Sequence, residues 1–491
     1  MDDEDPVVIS LADGSHRWGI PLISENRADG VLATVLIGTA ASAVTGVPGE
    51  VRSADDATGP LSRTAFVDSL SKGKGKTILG LVREASSSRR LRFELLPSAN
   101  LELGVLVVAL TPGGWVYYQV VDGETTEEAF GSLNYGSQVA VATPVGLLED
   151  GKFHRAGWLP SINTPVFGVD STLTGDGEQK GFFLGHVSGT QLELRGNFVG
   201  RLESHTAILG ATGSGKTELA FDLIRHAADA SIKVICIDLT SQYVSRLSDL
   251  VPTHLTIPDE KAQELSDKLF DAETGQYGAG AEKKVLREFA EDLSGEVDLA
   301  LRGFLTDEQS SLALIELREI ANTKATLWIT EMFLSTLLRL MKEAVIASKV
   351  LVVIEEAHTV MPEASFAGLG DFDSKGTIAK ISQLALQGRK YGVGLLVLAQ
   401  RTATVSKSVL TQCNTVISFA CIDDTSINFL RNVYGSSVAE GLPGLKHLRA
   451  VAHGEWISSD LPVMFDIPFN IEKAARIDWA AHGDSSQQGA S

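Results

Sequence analysis

Two kinds of hydrophobic spacing divide the chain. Up to about residue 165, short apolar runs at 31–37, 78–82, 105–110 and 116–121 are separated by clusters of Gly, Pro, Asp or Ser. Runs of that length between turn formers predict strands, and strands recurring at that interval predict a small barrel or sandwich. Beyond residue 165 the pattern changes to strands alternating with helices. Buried-strand runs stand at 182–187, 206–209, 233–238, 350–354, 395–399 and 415–419. Between them, residues 218–230 repeat Leu219, Leu223 and Ala227 on one helical face, and another helix is predicted around 376–388. Such alternation predicts a parallel sheet covered by helices.

The alternation breaks between 259 and 348. Long helical periodicities at 282–293 and 326–347, with acidic residues on their polar faces, predict a helical insertion in the core. The expected division is therefore a β-barrel over 1–165, an α/β core over 166–470 holding the insertion 259–348, and a C-terminal segment over 471–491. The two prolines of Trp158-Leu-Pro-Ser-Ile-Asn-Thr-Pro165 suit a linker between the first two, and the small polar residues at 483–491 suit a disordered tail.

Composition changes this picture in three places. The 491 residues leave room for two or three domains, and 44% hydrophobic with 21% charged residues is ordinary for a soluble globular chain. Cys236, Cys413 and Cys421 lack metal-ligand spacing and read as reduced thiols. With the acidic start Met-Asp-Asp-Glu-Asp-Pro, opposite in charge to a secretory leader, they predict a cytoplasmic protein. The uncharged stretch 30–49 is too rich in Ala, Gly, Ser and Thr for a membrane span, so no membrane is expected. The net charge of −20 excludes broad coating by nucleic acid and leaves only local basic patches. Two such clusters lie in the β-rich region, Lys72, Lys74 and Lys76, then Arg89, Arg90 and Arg92, with Lys390 a further candidate in the core.

The candidate chemistry centres on Gly210-Ala-Thr-Gly-Ser-Gly-Lys-Thr217, a complete G-x-x-x-x-G-K-[ST] phosphate loop between a predicted strand and a predicted helix. Glycines allow close wrapping around phosphate oxygens, and the N–H groups of the loop and helix start point at the anion. Lys216 is expected to reach the β- and γ-phosphates of ATP, and Thr217 to ligate Mg²⁺. A second Gly-Lys-Thr, in Lys72-Gly-Lys-Gly-Lys-Thr77, lacks the leading glycine, since Leu70 stands there, and runs into a strand. It is rejected as a nucleotide site.

Val350-Leu-Val-Val-Ile-Glu-Glu-Ala-His358 is a buried strand ending in two carboxylates, where an α/β sheet carries its functional residues. Glu355 is expected in the Mg²⁺ shell and Glu356 as the base that activates the attacking water. Gln400, at the end of the next strand, is a candidate γ-phosphate sensor. An arginine finger is also needed, with Arg389 the first candidate and Arg401 and Arg431 behind it.

Together these residues resemble the HerA family of hexameric DNA-translocating ATPases, related to the FtsK translocases. His205-Thr-Ala-Ile-Leu-Gly-Ala-Thr-Gly-Ser-Gly-Lys-Thr217 is similar to the family's extended Walker A motif and Val353-Ile-Glu-Glu-Ala-His358 to its Walker B motif. Gly388-Arg-Lys-Tyr-Gly392, Ala399-Gln-Arg401 and Thr411-Gln-Cys-Asn-Thr415 follow in family order. The resemblance implies a RecA-like core with a helical insertion behind a small barrel of the ATP-synthase type. It also implies a homo-hexameric ring that hydrolyses ATP to move double-stranded DNA and serves a docked nuclease or other effector encoded nearby. The alternative it leaves open is a ring scaffold that assembles and regulates an antiviral effector enzyme, as in bacterial defence systems, with ATP hydrolysis in a regulatory role.

Overall fold

The computed structural model describes residues 6–468 apart from 28–29, 42–45, 54–62, 98, 131–132, 176–179, 240–241, 275–278, 318–322 and 364–371. The expected C-terminal segment over 471–491 lies outside the described residues.

The strand-rich region folds into two sheets. β1 (Val7–Ser10), β2 (His16–Arg27), β3 (Gly30–Ala40) and β4 (Val51–Ser53) pair antiparallel in the order β3-β2-β1-β4. After helix α1 (Arg63–Ser71) come β5 (Thr77–Val82), β6 (Leu91–Leu95), β7 (Leu106–Thr111), β8 (Gly114–Phe130), β9 (Leu133–Glu149), the short β10 (Lys152–His154) and β11 (Pro165–Gly168). Six of these close on themselves in the order β9-β6-β5-β11-β7-β8, because β8 also pairs with β9. Closure removes free edges, and Val82, Leu91, Phe93, Val107, Tyr118 and Val166 share one apolar core. The barrel is as expected, but a separate four-stranded sheet precedes it. The expected boundary at 165 falls inside it, since the stretch read as a linker delivers its closing strand β11.

The core holds β12 (Phe182–Val187), β13 (Glu193–Gly196), β14 (Thr206–Leu209), α2 (Lys216–Asp229), β15 (Lys233–Asp238), α3 (Tyr243–Arg246), β16 (Thr253–His254), α4 (Asp259–Thr274) and α5 (Ala279–Thr306). It continues with β17 (Leu312–Glu316), α6 (Thr323–Lys342), β18 (Val350–Ile354), α7 (Ala357–Val360), α8 (Phe372–Gln387), β19 (Val393–Ala399) and α9 (Lys407–Leu410). The last elements are β20 (Thr415–Ser418), α10 (Asp424–Tyr434), α11 (Ser436–Gly441), β21 (Arg449–Gly454) and β22 (Val463–Asp466). One sheet of order β13-β12-β22-β21-β20-β14-β19-β18-β15-β17-β16 runs through it. The seven strands from β20 to β16 are parallel, and β14, β18 and β19 are buried along their whole length, as continuous Val, Ile and Leu runs require.

The helical insertion needs correction. Helices α4 and α5 occupy 259–306, but β17 returns to the sheet beside β15, and α6 packs against α8 as a covering layer. A five-residue apolar strand between two long helical periodicities cannot be separated from them by spacing alone. The antiparallel strands β21, β22, β12 and β13 extend the sheet towards the barrel. There the buried Gln119 amide of β8 pairs with the backbone of Met464, donating to its carbonyl (2.9 Å) and accepting from its N–H (2.7 Å). Arg449 adds a two-point ion pair with Asp466 (2.6 and 2.9 Å) and donates to the Leu103 carbonyl (2.6 Å).

Candidate active site

All the parallel strands end at one edge of the sheet, and the predicted chemistry gathers there. Leu209 of β14 lies beside Ala399 of β19, and Ile354 of β18 beside Val397, so the residues that follow each strand meet. From β14 the chain enters the phosphate loop, in which Gly210, Gly213 and Gly215 all have positive φ. Gly215 caps α2 at φ 110°, a conformation that strains any side-chain-bearing residue. The helix then buries Leu219, Leu223 and Ala227 as its spacing predicts, which holds its first turn against the sheet.

Lys216 is buried, with 8% of its surface exposed, and its Nζ donates to the Ala211 carbonyl (2.8 Å). Burial holds its pKa below the ordinary lysine value, and the Glu356 carboxylate opposes that shift. The Thr217 hydroxyl donates to the buried Glu355 carboxylate (3.2 Å). A hydroxyl facing a carboxylate across 3.2 Å is a hard oxygen donor set suited to Mg²⁺. The Ser214 hydroxyl inside the loop is buried without a hydrogen-bond partner among the described residues. That orphaned donor, the buried lysine and the positive-φ glycines together fit a bound phosphate chain.

Glu356 adopts a left-handed backbone (φ 47°), which turns its side chain away from the line of the strand. It accepts from the Gln400 amide, whose oxygen accepts from the Thr212 hydroxyl (3.0 Å). Thus loop, sensor candidate and base candidate form one chain of contacts. His358 stands 3.2 Å from the other Glu356 oxygen. The His358 contact and the Gln400 bond hold the Glu356 carboxyl below its ordinary range, against burial.

The cations separate. Arg401 is exposed beside Gln400 on the same edge. Arg389 and Lys390 precede β19, at the opposite edge, roughly 20 Å of strand away from the loop. Arg389 is exposed and lies 3.6 Å from Glu455. It cannot reach the phosphate loop of its own chain. Arg431, on α10, is paired with Glu440 (3.3 Å). Three contacts went unread in the sequence. His447 meets the Gly213 carbonyl (3.0 Å) from a distant loop, and Thr212 engages Gln400. Buried His205 accepts from the Leu395 N–H (3.1 Å) and so donates to the Ala385 carbonyl (2.8 Å), pinning β14 to β19 and α8. Only the string Glu-Glu-Ala-His carried a signal for His358, through its position on the first turn after the acids.

The family model for the central domain of helicase HerA matches residues 182–345. The DNA double-strand break repair helicase HerA of Sulfurisphaera tokodaii is 24% identical over 388 residues, 65% of this chain and 76% of that relative. The protein of the same name from Pyrococcus furiosus is 26% identical over 129 residues, 26% of this chain and 22% of its own length. Among solved structures, VirB4 of Thermoanaerobacter pseudethanolicus overlaps with a TM-score of 0.42 at 14% identity, covering 61% of this chain and 99% of that one.

Proposed function

We propose that this chain, whose residues 182–345 match the model for the central domain of helicase HerA, is a P-loop ATPase that works as a DNA motor built from six copies, hydrolysing ATP with Mg²⁺ and serving a docked nuclease or other effector. The observation that carries this reading is the continuous array Thr212, Gln400 and Glu356 beside Lys216, Thr217 and Glu355 on one sheet edge. Lys216 and the loop N–H groups would hold the phosphates, and Thr217 with Glu355 would hold Mg²⁺, which when bound neutralises developing phosphate charge. Glu356 takes a proton from the attacking water, and its depressed pKa keeps it ionised for that purpose. Gln400 orients Glu356 and carries the state of the loop to it through Thr212.

Arg389 supports the ring. Its exposed position on the far sheet edge suits a finger donated to a neighbouring copy. The substrate reading follows the relatives, which are DNA double-strand break repair helicases.

One observation favours the second reading, a scaffold that assembles and regulates an antiviral effector. Two of the six barrel cations are already paired with acids, Lys76 with Asp68 (3.6 Å) and Arg92 with Glu124 (2.7 Å). That leaves less charge for a phosphate backbone. ATP turnover measured with and without duplex DNA, alongside light scattering with nucleotide, separates the two. Several-fold stimulation on a ring of six supports the motor. A ring that DNA leaves unstimulated supports the scaffold, and a monomer under the same conditions rejects both.

A further inference from the structure

The cleft between barrel and core differs chemically from the rest of an acidic chain. Its walls come from the barrel turn at 85–90, Thr143 and Pro144 of β9, residues 155–157, the α10–α11 junction at 431–438, His453 and residues 461–462, and it holds about 920 Å³. Arg89, Arg90, Arg155 and Arg431 all line it, and no carboxylate does. The chain as a whole has 62 Asp and Glu against 42 Lys and Arg, so four arginines without an acid in one concavity is a local reversal. Arg431 is shared with Glu440 (3.3 Å), whereas no ion pair engages Arg89, Arg90 or Arg155 among the described residues.

The cleft is also preorganised. The Ser87–Arg90 turn is closed by a reciprocal backbone pair (2.7 and 3.2 Å), and the Ser87 hydroxyl accepts from the Arg89 N–H (3.3 Å), which fixes the turn that carries the two guanidinium groups. Opposite it, the Nδ1 of His453 is buried without a hydrogen-bond partner among the described residues. Ser87, Ser436 and Ser437 add hydroxyls to the lining. Guanidinium forks with hydroxyl donors are the recognition set for phosphate oxygens.

Size and lining select the ligand. A space of about 920 Å³ is of small-molecule dimensions. A single strand needs aromatic platforms for its bases, and the one Phe, Tyr or Trp in the lining, Tyr434, is buried with its hydroxyl committed to the Val416 and Val451 carbonyls (3.1 Å each). We propose that this cleft binds an oligophosphate ligand of nucleotide size, such as a nucleoside triphosphate, independently of the phosphate loop. No residue of 210–217 lines it. Because the barrel supplies Arg89, Arg90 and Arg155 and the core supplies Arg431, occupancy clamps one to the other.

Calorimetric titration of the full chain with a non-hydrolysable ATP analogue and Mg²⁺ tests this without relying on turnover. Two equivalents per chain are expected. Lys216→Ala should weaken only the phosphate-loop equivalent, and Arg89→Glu with Arg155→Glu only the other, by roughly tenfold or more for each guanidinium removed. Displacement of the second equivalent by inorganic tripolyphosphate assigns recognition to the phosphates alone, and failure of displacement adds the nucleoside as a determinant. The neutral pair Arg89→Gln with Arg155→Gln, at exposed or half-exposed side chains, replaces the reversals if those unfold the chain. One equivalent abolished by Lys216→Ala overturns the proposal. So does a second equivalent indifferent to the arginine changes, or loss of oligonucleotide binding in the arginine variants with no nucleotide bound in the cleft. Failure of the DNA-motor reading would leave the two-equivalent result standing.

Discussion

Gly75-Lys76-Thr77 and Gly215-Lys216-Thr217 are the same three residues in two settings. In the first, Gly75 is required by packing, since a Cβ there would meet the Cβ of Phe167 at 2.3 Å, and the chain enters strand β5. Lys76 is left with 48% of its side chain exposed, 3.6 Å from Asp68. In the second, Gly215 is required by its backbone angle, the chain enters helix α2, and Lys216 is buried among the groups that face a phosphate chain. Burial of a lysine costs solvation energy, and nothing in the apolar core needs one. The loops therefore differ in a desolvation cost, borne by Lys216 and spared at Lys76.

The sharpest way to break that contrast lies outside both loops. Glu356→Gln keeps the shape of the side chain but removes its basicity. Steady-state turnover should fall by about 10²–10⁴ while nucleotide affinity is unchanged. Wild-type turnover in this variant would show that the loop, without its acids, makes the site. Next in size, Lys216→Ala should weaken ATP binding by roughly tenfold to a hundredfold in a fluorescence titration, because it removes a charge-assisted contact. Equal affinity would put the phosphate elsewhere.

A smaller effect concerns stability without nucleotide. The pKa of Lys216 is depressed by burial, so the charged lysine costs stability at all pH values below its folded pKa. That cost fades as the pH rises from the folded pKa towards the ordinary 10.5. Lys216→Met should therefore raise the melting temperature of the nucleotide-free protein at pH 7 and lose that advantage in alkali, while forfeiting the rise that ATP confers. A lower melting temperature at pH 7 would mean that the bond to Ala211 outweighs desolvation. Smallest of all, Lys76→Ala should leave turnover unchanged and stability within roughly 0.5 kcal/mol, as exposed ion pairs contribute little. Chemical denaturation measures the second, and a loss of turnover would restore the first loop as a site.

The legibility of this molecule follows the same logic. The phosphate loop and the two acids could be read because their chemistry needs fixed residue types at fixed spacing. The central strands could be read because burial on both faces demands unbroken apolar runs, as in Val350–Ile354. Strand β17 could not, since its five residues carry no period of their own between long helices. Strands β21 and β22 are short, and their place in the sheet depends on pairing partners far along the chain. The links from Thr212 to Gln400 and from His447 to Gly213 join residues 188 and 234 positions apart, which no local pattern encodes. Arg389 held a missed clue: it precedes a parallel strand whose other end carries Gln400, which places the two at opposite edges.

The Gln119 bridge sets how force can travel through the fold. The loop residue Ala211 donates its N–H to the Ala420 carbonyl (2.8 Å), just past the end of β20. From there the strands run hydrogen-bonded through β21 to β22, where the Gln119 amide bonds the Met464 backbone beside β12 and joins the barrel wall. A hinge would absorb a displacement between the two bodies. Here the path from the loop to the barrel is hydrogen-bonded throughout, backbone to backbone along the strands and through one buried side-chain amide at the junction.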